Sequence, residues 1–115
     1  MKTKLLLITF FVVSFQVAFA QSKNQEISFT VNGVCNMCKE RIENAALRTT
    51  GVKFAEWNKE EKRITVIYNS TKTNKDSIQG SILKAGHQVE NLPVDSVAYQ
   101  LLPNCCKYKD GVVTH

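Results

Sequence analysis

Glu26-Ile27-Ser28-Phe29-Thr30-Val31-Asn32-Gly33-Val34-Cys35-Asn36-Met37-Cys38 holds the junction on which the fold turns. Its first half alternates apolar and polar side chains, as a strand buried on one face must, because successive side chains point to opposite sides. Gly33 ends the alternation. From Cys38 to Thr50 the period changes: Ile42, Ala45, Ala46 and Thr49 recur at spacings of three and four, the mark of a helix with one buried face. Gly51 is expected to stop that helix in a left-handed conformation just past its end. Two cysteines therefore stand where a strand gives way to a helix.

Outward from this junction the pattern continues. Val52 to Asn58 is rich in strand formers, although its alternation breaks at Ala55. Lys59-Glu60-Glu61-Lys62 makes a charged, solvated turn, and Arg63-Ile64-Thr65-Val66-Ile67-Tyr68 is the clearest strand in the chain. Thr73-Asn74-Lys75-Asp76 predicts a second helix start, with the Thr73 hydroxyl and Asp76 carboxylate available to first-turn amides. Ile78, Ile82, Leu83 and Ala85 form its apolar face despite Gly80, and Gly86 closes it. His87 to Leu92 reads as a last strand, stopped by Pro93. Strand, helix, strand, strand, helix, strand predicts an α+β, ferredoxin-like βαββαβ sandwich. A four-stranded antiparallel sheet with both helices on one face would bury every apolar stripe.

The two ends lie outside this pattern. Met1 to Ala20 reads as a secretory signal: Lys2 and Lys4, an apolar run from Leu5, then Ala18-Phe19-Ala20 as a small-x-small cleavage site. Cleavage would leave a domain from Gln21 to Pro93 and a tail from Val94 to His115, and no second apolar stretch offers a membrane span. Export, to the periplasm of a Gram-negative bacterium, is the expected location. The tail carries Val97, Tyr99, Leu101 and Leu102, then Pro103 and a second cysteine pair, without periodicity. A chain of 115 residues excludes a multidomain enzyme, and a formal charge of +5, reduced by two once Lys2 and Lys4 leave, does not suggest a nucleic-acid binder.

Chemistry concentrates in Cys35, Cys38, Cys105 and Cys106. At a helix N-terminus, unpaired amides and the helix dipole stabilise thiolate, and Lys39 and Arg41 add positive charge. The two-residue gap lets the Cys35 and Cys38 sulfurs converge on one soft ion. Thiolates suit Cu(I) and Hg(II), whereas Zn(II) usually takes four ligands. Across a trans peptide the Cα atoms of Cys105 and Cys106 are about 3.8 Å apart, below the usual disulfide range, so this pair is expected to look elsewhere. Four cysteines in an exported chain also allow two disulfides with three connectivities.

Gly33-Val34-Cys35-Asn36-Met37-Cys38, opening the first helix of a βαββαβ chain, resembles the heavy-metal-associated domain family, whose usual motif is Gly-Met-Thr-Cys-X-X-Cys. Lys84-Ala85-Gly86-His87 resembles its closing Ala-Gly-aromatic segment. The chain lacks one residue between Gly33 and Cys35 and has no Met before the first cysteine. The resemblance implies a non-enzymatic metallochaperone that binds Cu(I), Hg(II) or Zn(II) through Cys35 and Cys38, with a metal transporter or efflux component as partner. Leu102-Pro103-Asn104-Cys105-Cys106-Lys107-Tyr108 is similar to the end of a periplasmic subgroup.

Further candidate ligands are Cys105, Cys106 and His87; the family places an aromatic residue or Lys at the His87 position, and a His there offers a neutral third ligand. Packing beneath the loop is the expectation for Met37, and core or sheet surface for Trp57 and Tyr68. Two other readings of the same residues stand open. Cys35 and Cys38 can serve a thiol–disulfide redox protein, with Cys35 as nucleophile, or the four cysteines can staple an interaction domain that takes no metal.

Overall fold

A computed structural model describes residues 23–110. The expected signal segment, Met1 to Ala20, and the terminal His115 lie outside the described residues. Three strands, β1 (Asn24–Thr30), β2 (Val52–Asn58) and β3 (Arg63–Asn69), form an antiparallel sheet in the order β1-β3-β2. Pairing places Phe29 opposite Ile64 and Ile64 opposite Trp57; one row along, Ile27, Val66 and Ala55 align. Such cross-strand rows hold a one-faced sheet together, and here Phe29, Ile64, Trp57 and Val66 are buried. The break in β2's alternation comes from a register shift between Val52 and Phe54. The extra residue, Lys53, turns Phe54 outward and restores Ala55 and Trp57 to the inner face.

On that inner face lie α1 (Asn36–Leu47) and α2 (Lys75–Lys84), which bury Cys38, Ile42, Ala45 and Ala46, and Ile78, Gln79 and Ile82. Helix α1 begins two residues earlier than its apolar period suggests, with Cys35 as N-cap. It also ends earlier, at Leu47; Gly51, at φ +97°, belongs to the turn into β2 rather than to the helix end. Asn74 caps α2 by accepting from the Ser77 N–H at 2.9 Å, a role expected of Thr73. The end of α2 follows expectation. His87 N–H donates to Ile82 O and Gly86 N–H to Leu83 O, while Gly86 sits at φ +100°. These are the two bonds of the Schellman motif.

The expected fourth strand is a correction. His87 to Leu92 contributes an isolated bridge, Val31 with Val89, flanked by Asn32 N–H to Gln88 O and Glu90 N–H to Thr30 O. Glu90 at φ +50° ends the extended run, and Leu92 N–H turns back to Val89 O. The Gln88 N–H, which a continued ladder would aim at Asn32 O, is taken instead by the Tyr108 hydroxyl at 2.8 Å. The segment lies beside β1, where a ferredoxin-like sheet would continue, but the tail takes the amide that would extend its pairing.

That tail is ordered by burial rather than by periodicity. Asp95 caps a short helix, α3 (Ser96–Gln100), and two 3-10 turns follow at Asn104–Cys106 and Tyr108–Asp110. Leu102 and Cys106 are buried in the same core as the sheet and helices, whereas Val97 and Leu101 face solvent. No described helix is long and apolar enough to cross a membrane.

Candidate metal centre

Cys35 is placed by its extended backbone, φ −149° and ψ 175°, at the last non-helical position before α1. Three residues on, Cys38 lies in the first helical turn, so both side chains reach the same end of the helix. Their sulfurs are 3.2 Å apart. Gly33 makes room behind them, because a Cβ there would lie 3.0 Å from the Trp57 ring and 3.1 Å from Cys38 Cβ. Trp57 is fixed in turn by its indole N–H, which donates to Val31 O at 2.9 Å.

The tail delivers a third sulfur. Cys106 Sγ is 3.3 Å from Cys35 Sγ, and its thiol opposes the effect of burial on Cys38. All of these separations exceed the roughly 2.05 Å of a covalent S–S bond, and the four cysteines are free thiols. Cys105 takes a different direction from Cys106, as neighbours in a 3-10 turn diverge by about 120°, and sits at the rim of the group. Its sulfur is 3.9 Å from that of Cys106 and donates toward Met37 Sδ at 3.7 Å. Met37 is 51% exposed, so it forms an outer sulfur rather than packing under the loop. Cys35, Cys105 and Cys106 bring their sulfurs within 4.8 Å of one another.

Electrostatics differ from thiol to thiol. Burial pushes Cys35 up, but the Cys38 backbone, the Cys38 and Cys106 thiols and the Met37 backbone outweigh it and bring its pKa down to about 7. Burial raises Cys38 and, more strongly, Cys106. Arg41, one turn along α1, opposes that rise. Lys39, expected to lend the loop an open charge, instead binds Glu43 Oε2 at 2.6 Å and Trp57 O at 2.9 Å.

His87 stands outside the sulfur group. It is fully buried, with Nδ1 donating to Asn32 O at 2.8 Å and its ring stacked on Tyr108 at 5.7 Å between centroids. Tyr108 locks the tail: its hydroxyl donates to Gly86 O at 2.9 Å while accepting from Gln88, and its ring meets Tyr99 edge-on. Neither Tyr108 nor Arg41's link to Cys106 follows from the sequence pattern. The one available signal was an aromatic two residues beyond a cysteine pair.

A one-faced α+β sandwich that gathers thiols at the N-terminus of its first helix is the class this fold and site define. The chain belongs to the heavy-metal-associated domain family, whose model matches residues 28–88. No curated relative matches. Among solved structures, a CopZ metallochaperone is 27% identical, with a TM-score of 0.56 over 57% of this chain and 100% of that one. The N-terminal soluble domains of Bacillus subtilis CopA are 35% identical, TM-score 0.56, over 61% of this chain and 48% of that one. Oxidized MerP from Ralstonia metallidurans CH34 shares the fold at 20% identity, TM-score 0.56, over 58% of this chain and 94% of that one.

Proposed function

We propose that this protein is an exported, non-enzymatic carrier that takes up Cu(I) through Cys35 and Cys38 and passes it to a metal transporter or efflux component. The observation that carries this reading is the pair of sulfurs 3.2 Å apart at the start of α1, within a heavy-metal-associated domain. Buried thiols on a helix N-terminus match a soft ion by donor type and by charge; Hg(II) meets the same criteria, and Zn(II) meets them with further ligands. The CopZ likeness, a metallochaperone by name, supports copper as the cargo. The Met1–Ala20 signal supports export to a periplasm, where N-terminal sequencing of the recovered protein should begin at Gln21.

Transfer would proceed by ligand exchange. A partner's thiol adds to the bound ion, one resident sulfur leaves, and no step exposes a naked cation. Lys84, rather than Lys39 or Arg41, is the exposed basic group left to orient an acidic partner face. The test is an anaerobic Cu(I) competition titration of the reduced chain and of Cys35→Ser/Cys38→Ser. One tightly held ion in the former and none in the latter is expected. Equal binding by both would sink the reading, and insulin reduction without metal uptake would replace it with a thiol–disulfide role.

A further inference from the structure

We infer that the C-terminal tail supplies the third ligand of the site: Cys106 joins Cys35 and Cys38 in a three-thiolate centre, and Cys105 with Met37 forms an outer sulfur pair at its mouth. This rests on the reading that Cys35 and Cys38 take a soft ion, and it changes what that site does. Two-thiolate carriers leave one side of the ion open. Here that side is covered by the chain's own sulfur.

Spacing is the first argument. With metal–sulfur bonds of about 2.3 Å, a linear two-sulfur site holds its sulfurs about 4.6 Å apart and a trigonal one about 4.0 Å apart. Observed separations of 3.2 Å and 3.3 Å lie nearer the trigonal value. At these two contacts the sulfurs need to spread by less than 1 Å, about half of what a linear pair needs within the same packed core.

Anchoring is the second. The Cys106 sulfur is fully buried, and what holds it there does not involve the other thiols. Leu102 packs over Gly86, where a Cβ would lie 3.2 Å from Leu102 Cδ2 and 2.9 Å from Ala98 O. Tyr108 bridges Gly86 O and Gln88 N–H on the far side of the cysteine turn. Between these two fastenings Cys106 N–H closes onto Pro103 O at 2.8 Å, which fixes the inward direction of the side chain.

Charge and access complete the case. Three thiolates around a monovalent ion carry net negative charge, and Arg41, whose charge favours the Cys106 thiolate, brings a cation to that side; its Nη1 is buried with no hydrogen-bond partner. Exposure rises outward from Cys38 and Cys106, both fully buried, through half-buried Cys105 to Met37. As each sulfur binds, its proton leaves to solvent, and neither the ion nor the sulfur changes oxidation state. Cys106 is the ligand a partner's thiol replaces, since it is held by tail contacts rather than by the end of α1. The consequence is a carrier that holds its ion until the tail yields.

X-ray absorption on the reduced, Cu(I)-loaded full chain counts the sulfurs without any substitution, and Hg(II) loading gives an independent reading from its charge-transfer band. Three sulfurs in the unmodified chain are expected. In Cys106→Ser two sulfurs should remain, with the affinity lowered by at least about tenfold, the scale of losing even a supporting residue at such a site. Cys105→Ser should keep all three. Two or four sulfurs in the unmodified chain, or loss of a sulfur in Cys105→Ser, would overturn the inference. Absence of Cu(I) and Hg(II) binding by the reduced chain would instead overturn the carrier reading beneath it.

Discussion

The two cysteine pairs of this molecule are built on opposite principles. Cys35 and Cys38 are three residues apart on one helix end and face the same way, whereas Cys105 and Cys106 are adjacent and diverge, one inward and one toward Met37. The first pair depends on local geometry alone. The second depends on Leu102, Tyr108 and Gly86 holding a tail against the core. A short, regular spacing thus makes a two-armed site, while adjacent cysteines divide their work between inside and outside.

Substitution of single thiols should separate the pairs most widely. Cys35→Ser or Cys38→Ser is expected to weaken Cu(I) binding by about a thousandfold or more, roughly 4 kcal/mol, whereas Cys105→Ser should shift it by less than about threefold. Competition against a chelating Cu(I) indicator measures both. Comparable losses from Cys105→Ser and Cys35→Ser would erase the distinction between the pairs.

Acid should loosen the tail's seat through His87, in a window below the one in which Cys35, at about 7, takes up its proton. Burial, aided by the Arg41 charge and opposed by the Asn32 carbonyl, lowers His87 to about 4, below its ordinary 6.5. The folded protein therefore binds this proton less well than the unfolded chain. The associated stability is complete above about pH 6.5 and is lost as pH falls through 4, by about 3 kcal/mol at most. Urea unfolding of the reduced chain between pH 7 and 4 should show this decline, and His87→Gln should flatten it. An equal slope in the variant would assign the acid sensitivity to other groups.

Gly86→Ala is expected to cost about 2 kcal/mol, because φ +100° strains any Cβ and that Cβ would meet Ala98 O at 2.9 Å. Part of that cost should vanish when Leu102→Ala is also present, since the two share the tail contact. Strict additivity in thermal or urea melts would show that the tail does not press on Gly86. Smallest of all, Glu43→Ala should cost about 1 kcal/mol, through the lost acceptor for Trp57 N–H at 2.8 Å and for Lys39. Cu(I) affinity should stay unchanged, because this network supports the loop from behind.

How far the sequence could be read varies along the chain for physical reasons. Helices α1 and α2 and strands β1 and β3 were legible because their apolar residues repeat with the period of the element they form. Boundaries were less so: the start of α1 falls on Asn36 rather than Cys38 because the first turn carries exposed Asn36 and Met37, which give no periodic signal. The last strand read correctly in its apolar content, yet Glu90 adopts positive φ and Tyr108 takes the N–H of Gln88, so pairing is confined to the Val89 bridge. Lys39 and Met37 were misplaced because their partners, Trp57 and Cys105, are distant in the chain.

What the amino-acid order fixed by itself was the junction of strand and helix and the pair of thiols set upon it, since both follow from interactions spanning only a few residues. Tertiary structure alone decided that Cys106 reaches Cys35 across 71 positions of chain, that Cys105 meets Met37, and that His87 packs beneath a tyrosine. Those placements come from burial of Leu102 and Tyr108 against a preformed core, and burial of that kind leaves no periodic trace in a sequence.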